Sequence, residues 1–231
     1  MSRLLLLSLL VLAVGASAQT SVSLSGLVAV PRGEFDAALG SPGGGLSMTA
    51  LYAIPGTPLA IGGEGAVTIY GYERREVPLS LTIPDVRVGV TTSNNLAHLL
   101  AVVRLQVPSG GVRPYVDGVA GLTYLFTETS IGDDAYYDAY GEPFSTVNYD
   151  DVALAAGGGA GVLVTLHRGL TDEGRPVSLS LDASVRYLVG GEATYLARGD
   201  IERRRNGTIR LDPRRSRTDL LVPRLGVSFT F

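Results

Sequence analysis

The stretch Val177–Val189, reading VSLSLDASVRYLV, decides the fold. In an extended chain successive side chains point to opposite faces, so Val177, Leu179, Leu181, Ala183, Val185, Tyr187 and Val189 share one face. Ser178, Ser180, Asp182, Ser184 and Arg186 share the other. The last eleven residues, LVPRLGVSFTF, repeat the pattern, with Leu225, Val227, Phe229 and Phe231 on one side and Arg224, Gly226, Ser228 and Thr230 on the other. Such strands have one apolar and one polar face. A soluble barrel of the lipocalin kind turns the apolar face inward to hold a small ligand, whereas a membrane barrel turns it outward to lipid. Alternation by itself leaves both open.

Working outward, similar segments recur at Val22–Val30, Leu46–Ile54, Leu59–Gly71, Leu96–Val107, Val112–Phe126 and Val152–Leu166. With the two above they make eight, an even number that can close. Their connections alternate in length. Pro55–Pro58, Pro108–Gly111 and His167–Pro176 are short, while 31–42, 72–95, 127–151 and 190–220 are long. Short turns at one end and long loops at the other are the asymmetry of barrels with periplasmic turns and extracellular loops. A strand-like stretch at Pro84–Thr92 keeps a ten-strand count open.

The N-terminus names a compartment. Arg3, the uncharged apolar run Leu4–Val14 and the small-x-small site Ala16-Ser17-Ala18 read as a cleaved export signal over 1–18, leaving 19–231 as one barrel domain. The apolar run is too short to cross a bilayer as a helix, which takes about 20 residues.

Composition removes several classes. The 231 residues are 45% hydrophobic and 18% charged, a greasy balance for a soluble chain of this size. No cysteine is present, so disulfides, Cys-ligated metals and a Cys nucleophile are excluded. A net charge of -3 offers no basic face for nucleic acid. Neither a cofactor nor a metal is expected. The acids Asp133, Asp134 and Asp138 lack the register of a calcium loop. Enzymatic activity is not expected either, since His98 and His167 are the only histidines and neither stands in a recognisable triad.

Val112-Arg113-Pro114-Tyr115-Val116-Asp117-Gly118-Val119-Ala120-Gly121 resembles the fifth-strand region of the small outer-membrane β-barrels, the OmpA, OmpX and OmpW-like group. The closing Val-Ser-Phe-Thr-Phe is similar to the C-terminal signal, here Phe229 and Phe231, that the barrel-assembly machinery reads in that group. The resemblance implies an all-β, antiparallel transmembrane barrel of the cell outer membrane, monomer favoured. The chain departs from the group in having no Trp for an interfacial girdle, a role left to Tyr and Phe.

With the apolar face outward, the lumen receives Glu64, Asp117 and Asp182 against Arg104, Arg113, Arg186 and Arg224, together with His98, Gln106, Tyr115, Ser184, Ser228 and Thr230. An eight-strand barrel is just wide enough for side chains to fill. These charges are expected to pair into a plug, with an anion-selective constriction by the four arginines as the alternative. Ala153, Ala155, Gly157, Gly159 and Gly161 face inward on the sixth strand and leave room for the arginines.

The long loops carry opposite charge. Residues 127–151 hold seven acids and no base among five aromatics, and 190–220 hold eight arginines against five acids. Loops of opposite sign can close over the barrel mouth. Arg203, Arg204, Arg205, Arg214 and Arg215 are the candidate contacts to phosphates of lipopolysaccharide or another anionic glycolipid. The function expected is a structural and surface-interaction barrel with a mostly plugged lumen. A small pore or hydrophobic-ligand conduit is the second reading, and the soluble lipocalin-like barrel the third.

Overall fold

The computed structural model describes residues 20–78, 87–131, 144–170, 176–197, 200–203 and 209–231. The export signal expected over 1–18 lies outside them. Eight antiparallel strands close into a barrel: β1 (Thr20–Pro31), β2 (Gly43–Ala53), β3 (Leu59–Pro78), β4 (Arg87–Gln106), β5 (Val112–Ile131), β6 (Phe144–Leu170), β7 (Pro176–Gly190) and β12 (Leu220–Thr230). Each pairs with its sequence neighbour around the ring, and β12 returns to β1 with Phe229 opposite Val22. Closure leaves no open sheet edge at mid-barrel, where each strand is paired on both sides; toward the long-loop end β3 beyond Ile69 and β6 before Ala155 lack their β2 and β7 partners.

Which face points outward is settled by burial. Leu24, Ile61, Leu99, Val116, Leu154, Val185 and Leu225 stand exposed on the outer surface, whereas Glu64, Arg104, Asp117, Asp182, Arg186 and Arg224 are buried inside. An apolar belt around a polar interior is stable only where hydrocarbon replaces water outside, and this is a transmembrane β-barrel. The inverted, lipocalin-like arrangement is thereby overturned. Tyr52, Phe229 and Phe231 are exposed toward the short-turn end, and Tyr72 and Tyr187 toward the other, taking the interfacial positions that Trp would fill.

Three expectations are corrected. Residues 87–92 of the stretch expected to support ten strands are the beginning of β4, paired to β3 and β5 on either side, so the barrel has eight. Much of the expected loops 72–95 and 127–151 is strand. Above the membrane both faces of a strand meet water, so polar residues continue the ladder without alternation; the Thr92 and Thr129 hydroxyls bond at 3.1 Å, and Asn148 donates to Thr129 at 2.6 Å. The segments 31–42 and 190–220 are folded as well. They form a helix, α1 (Glu34–Leu39), and four short strands, β8 (Glu192–Tyr195), β9 (Ile201–Arg203), β10 (Ile209–Leu211) and β11 (Arg214–Arg217), paired β8 with β11 and β9 with β10.

Candidate functional site: the filled lumen and its cap

At mid-barrel two carboxylates from adjacent quarters of the wall draw in three guanidiniums. Arg104 on β4 grips Asp117 on β5 through both ends, Nε to Oδ1 at 2.8 Å and Nη2 to Oδ2 at 2.9 Å. These two residues are direct cross-strand partners, which is why the bidentate geometry forms. The Arg104 guanidinium also lies 3.5 Å from the centre of the Tyr115 ring. Arg186 on β7 crosses the lumen to reach Glu64 at 2.6 Å and Asp117 at 3.1 Å. Arg224 on β12 bonds the other oxygen of Glu64 and donates from Nε to the Ser184 hydroxyl at 3.2 Å. The Thr49 hydroxyl completes Glu64 at 2.8 Å.

Of the seven residues expected to pair in the lumen, the structure brings five into one cluster: Glu64, Arg104, Asp117, Arg186 and Arg224. Asp182 and Arg113 stand beside it rather than in it. Asp182 accepts a 2.6 Å bond from the Tyr115 hydroxyl, and Arg113 donates to the Ser180 hydroxyl at 3.2 Å. Space for the cluster comes from β6. A Cβ on Gly159 would lie 2.5 Å from the Val185 carbonyl oxygen, and one on Gly161 would lie 2.5 Å from the Tyr115 ring. His98 bonds the Thr123 hydroxyl at 2.9 Å inside the barrel. Its inward neighbour four residues back is Asn94, which accepts from Thr127 at 2.8 Å.

Toward the long-loop end the filling changes from charge to hydrocarbon. Leu27, Leu96, Leu125, Leu188, Leu220 and Val222 turn inward and belong to one buried apolar cluster with Phe35, Tyr70, Ala193 and Tyr195. Reading only the polar face as the lumen missed this layer. A signal was available, since Leu27-Val28-Ala29, Tyr124-Leu125-Phe126, Tyr187-Leu188-Val189 and Leu220-Leu221-Val222 each interrupt the alternation with consecutive apolar residues.

The cap sits on this layer. Phe35 of α1 is wholly buried, its ring edge-on to Tyr195 at 5.1 Å and tilted against Tyr70 at 6.2 Å. The Tyr70 hydroxyl donates to the Leu196 carbonyl at 3.3 Å, tying β3 to the cap. Asp200 anchors the chain after β8: it accepts from the Ala197 amide at 2.8 Å and takes both ends of Arg214 at 2.9 and 2.8 Å. These bonds raise the Arg214 guanidinium above its ordinary value, holding it charged. Arg214 also donates to the Ala38 carbonyl at 3.0 Å, joining β11 to α1. Further ties run from the Thr194 amide to Asp151 at 2.7 Å and from the Gly190 amide to Asp219 at 3.0 Å.

Of the five arginines expected to meet glycolipid, Arg214 and Arg215 have described side chains, and the two are placed differently. Arg214 is committed to Asp200 within the cap, and Arg215 is exposed and pairs with Glu192 at 2.8 Å. Arg203 ends β9, and Arg204 and Arg205 lie outside the described residues, as do the acids Asp133, Asp134 and Asp138. A cation not singled out from sequence, Arg217, lines a groove of about 800 Å³ on the outer wall together with Glu192, and its guanidinium lies 3.8 Å from Asp219. Ala120, Leu122, Leu154, Ala156 and Val189 supply its apolar sides.

No protein family and no curated protein matches the sequence. Solved structures do. The attachment invasion locus protein Ail of Yersinia pestis, in complex with the heparin analogue sucrose octasulfate, is 15% identical; the match spans 94% of this chain and 100% of that one at a TM-score of 0.44. Neisserial surface protein A is 14% identical over 94% of this chain and 98% of its own, at 0.42. A major outer membrane protein from Thermus thermophilus is 15% identical over 94% and 100%, at 0.39.

Proposed function

We propose that this protein is a closed barrel of the outer membrane, non-conducting and non-enzymatic, which presents a folded cap at the cell surface and holds anionic lipid at its wall. The observation that carries the first part is the double filling of the lumen, by the Glu64–Asp117 cluster at mid-height and by the Phe35–Tyr195 layer above it. A solute would have to break buried ion pairs and then displace packed rings. The same filling speaks against a pore or ligand conduit through the barrel. The signal-like 1–18 segment directs export, and Phe229 and Phe231 on the lipid face of the closing strand serve as the assembly signal. Lipid contact is supported by the outer groove: its apolar sides suit an acyl chain, and Arg217, half-exposed and 3.8 Å from Asp219, is the cation on its lining that could meet a phosphate of lipopolysaccharide, with Glu192 beside it.

The test combines two measurements on protein from a purified outer-membrane fraction. Unheated and boiled samples are compared by SDS gel mobility, and the refolded protein is added to planar bilayers. A heat-dependent shift without stepwise conductance is expected. Sustained single-channel steps in the wild type overturn the closed lumen, and recovery in the soluble periplasm without a gel shift overturns the membrane assignment.

A further inference from the structure

The groove on the outer wall has two halves, and they belong to different parts of the molecule. Ala120, Ala156 and Val189 are cross-strand partners in one row over β5, β6 and β7, and Leu122 and Leu154 face each other in a row nearer the cap. That nearer row runs out of side chains at β7: the Gly191 amide donates to the Leu154 carbonyl at 2.7 Å, so a glycine stands beside the two leucines. Two alanines in one row and a glycine in the other make the hollow. Its remaining rim is the cap, through Glu192 on β8 and its cross-strand partner Arg217 on β11.

The wall half is continuous with the lipid-facing belt. Leu154 is 72% exposed, and Leu122 and Val189 are exposed beside it. An apolar hollow in such a wall takes hydrocarbon rather than water. The cap half supplies a cation. The Glu192 carboxylate is taken by Arg215 at 2.8 Å, and Asp219, which accepts from the Gly190 amide, lies 3.8 Å from the Arg217 guanidinium, beyond hydrogen-bond length. The half-exposed Arg217 guanidinium thus keeps N–H groups to spare among the described residues. The Arg217 amide donates to Glu34 of α1 at 3.3 Å, so one residue touches both the groove and the helix of the cap.

We infer that one acyl chain of a phosphate-bearing outer-leaflet lipid lies in this groove and fastens the cap, its hydrocarbon against Leu122, Leu154 and Val189 and its phosphate at Arg217. The inference rests on the reading of lipid at the wall and adds what the lipid does there. When the cap lifts, Glu192 and Arg217 leave with it and only the wall half of the seat remains. The lipid therefore binds the docked cap better than the lifted one and shifts the population toward it. Linkage requires the converse: whatever loosens the cap weakens the hold on the lipid.

The experiment places the full refolded barrel in nanodiscs of a neutral, phosphate-free galactolipid with rising fractions of lipid A. Two quantities are read: lipid A retained after transfer to detergent, and the rate of tryptic cleavage at the arginines of 200–219. In the wild type lipid A should be retained and cleavage should slow along a saturating curve, while the phosphorylated sugar stripped of its chains should do neither. Ala156→Trp fills the hollow from the lipid face and should abolish both retention and the lipid dependence of cleavage. Should that variant lose the heat-modifiable band, Ala120→Trp, its neighbour in the row, replaces it. Arg217→Gln should raise the lipid A needed about fivefold, the worth of one Arg at an anionic surface, and an unmoved midpoint removes the phosphate contact. Phe35→Ala, which lies off the groove lining, should lower retention severalfold through the cap alone. Equal retention in Phe35→Ala, with cleavage indifferent to lipid A in the wild type, overturns the fastening and leaves lipid at the wall. Undiminished retention in the Trp variant overturns the groove as the seat, and no retention by the wild type overturns the wall reading and the fastening with it.

Discussion

At mid-barrel the lumen is filled by Glu64 and Asp117 among three guanidiniums, whereas toward the cap it is filled by Phe35, Tyr70, Leu96, Leu125, Leu188 and Tyr195. Both fillings are buried, yet their energetics differ. Charged groups in the interior are tolerated only while every partner is present, because the Coulombic gain merely offsets desolvation. Apolar groups are each favourable alone and fail by leaving a void. The mid-lumen should therefore respond to single changes abruptly and across the whole barrel, and the cap layer locally.

The largest effect is expected at Glu64, whose two oxygens serve Arg186 and Arg224. Glu64→Gln keeps the shape but leaves Asp117 alone against three buried guanidiniums, with an expected loss of about 3–5 kcal/mol, the range for breaking a buried pair. Urea unfolding in lipid vesicles, read as loss of the fast-migrating gel band, measures it. A loss below about 1 kcal/mol would mean that water reaches the cluster and that the mid-lumen is not dry. Phe35→Ala comes next. Removing a fully buried ring costs about 3 kcal/mol, but the loss should be confined to the cap: trypsin should cut at the arginines of 200–219 while the barrel band stays heat-modifiable. Global unfolding with Phe35→Ala would instead make the cap part of the barrel's cooperative unit.

How much of this the sequence displayed follows from the same contrast. Where lipid lies on one side and the ion cluster on the other, period-two alternation is strict, and strand count, inward face and cluster residues can all be read from it. Where Leu188 turns inward between Tyr187 and Val189, both faces are apolar and the period vanishes. Where Glu73-Arg74-Arg75-Glu76 continues β3 beyond the membrane, both faces are polar and the strand reads as loop. The cap was hidden for a different reason. Its charges suggested a solvated, ligand-seeking surface, yet Arg214 finds Asp200 fourteen residues away and the Ala38 carbonyl 176 residues away, contacts that no local pattern announces.

That distinction within the Arg-rich segment sharpens the comparison at its weak end. The Arg214–Asp200 pair is bidentate, and its carboxylate is almost buried although the guanidinium side chain is 44% exposed. Asp200→Asn should cost about 1–2 kcal/mol, charge-assisted bonds discounted for that exposure, and should speed tryptic cleavage within the cap as Phe35→Ala does, only less.

The smallest effect is expected one residue on. Arg215 and Glu192 also meet at 2.8 Å, but their side chains are 71% and 60% exposed, so solvent screens the attraction and two long side chains lose freedom to make it. Arg215→Gln should change unfolding by less than about 0.5 kcal/mol. The two substitutions together ask whether distance or burial sets the worth of a pair in this cap. If Arg215→Gln matched Asp200→Asn in its effect on unfolding and cleavage, the rim of the cap would be as dry as its interior, and the contrast between charge paired inside the fold and charge paired in solvent would fail. If it leaves both unchanged while weakening retention of phosphate-bearing lipid in detergent extracts, Arg215 belongs with Arg217 to the surface that meets the membrane, and Arg214 to the architecture beneath it.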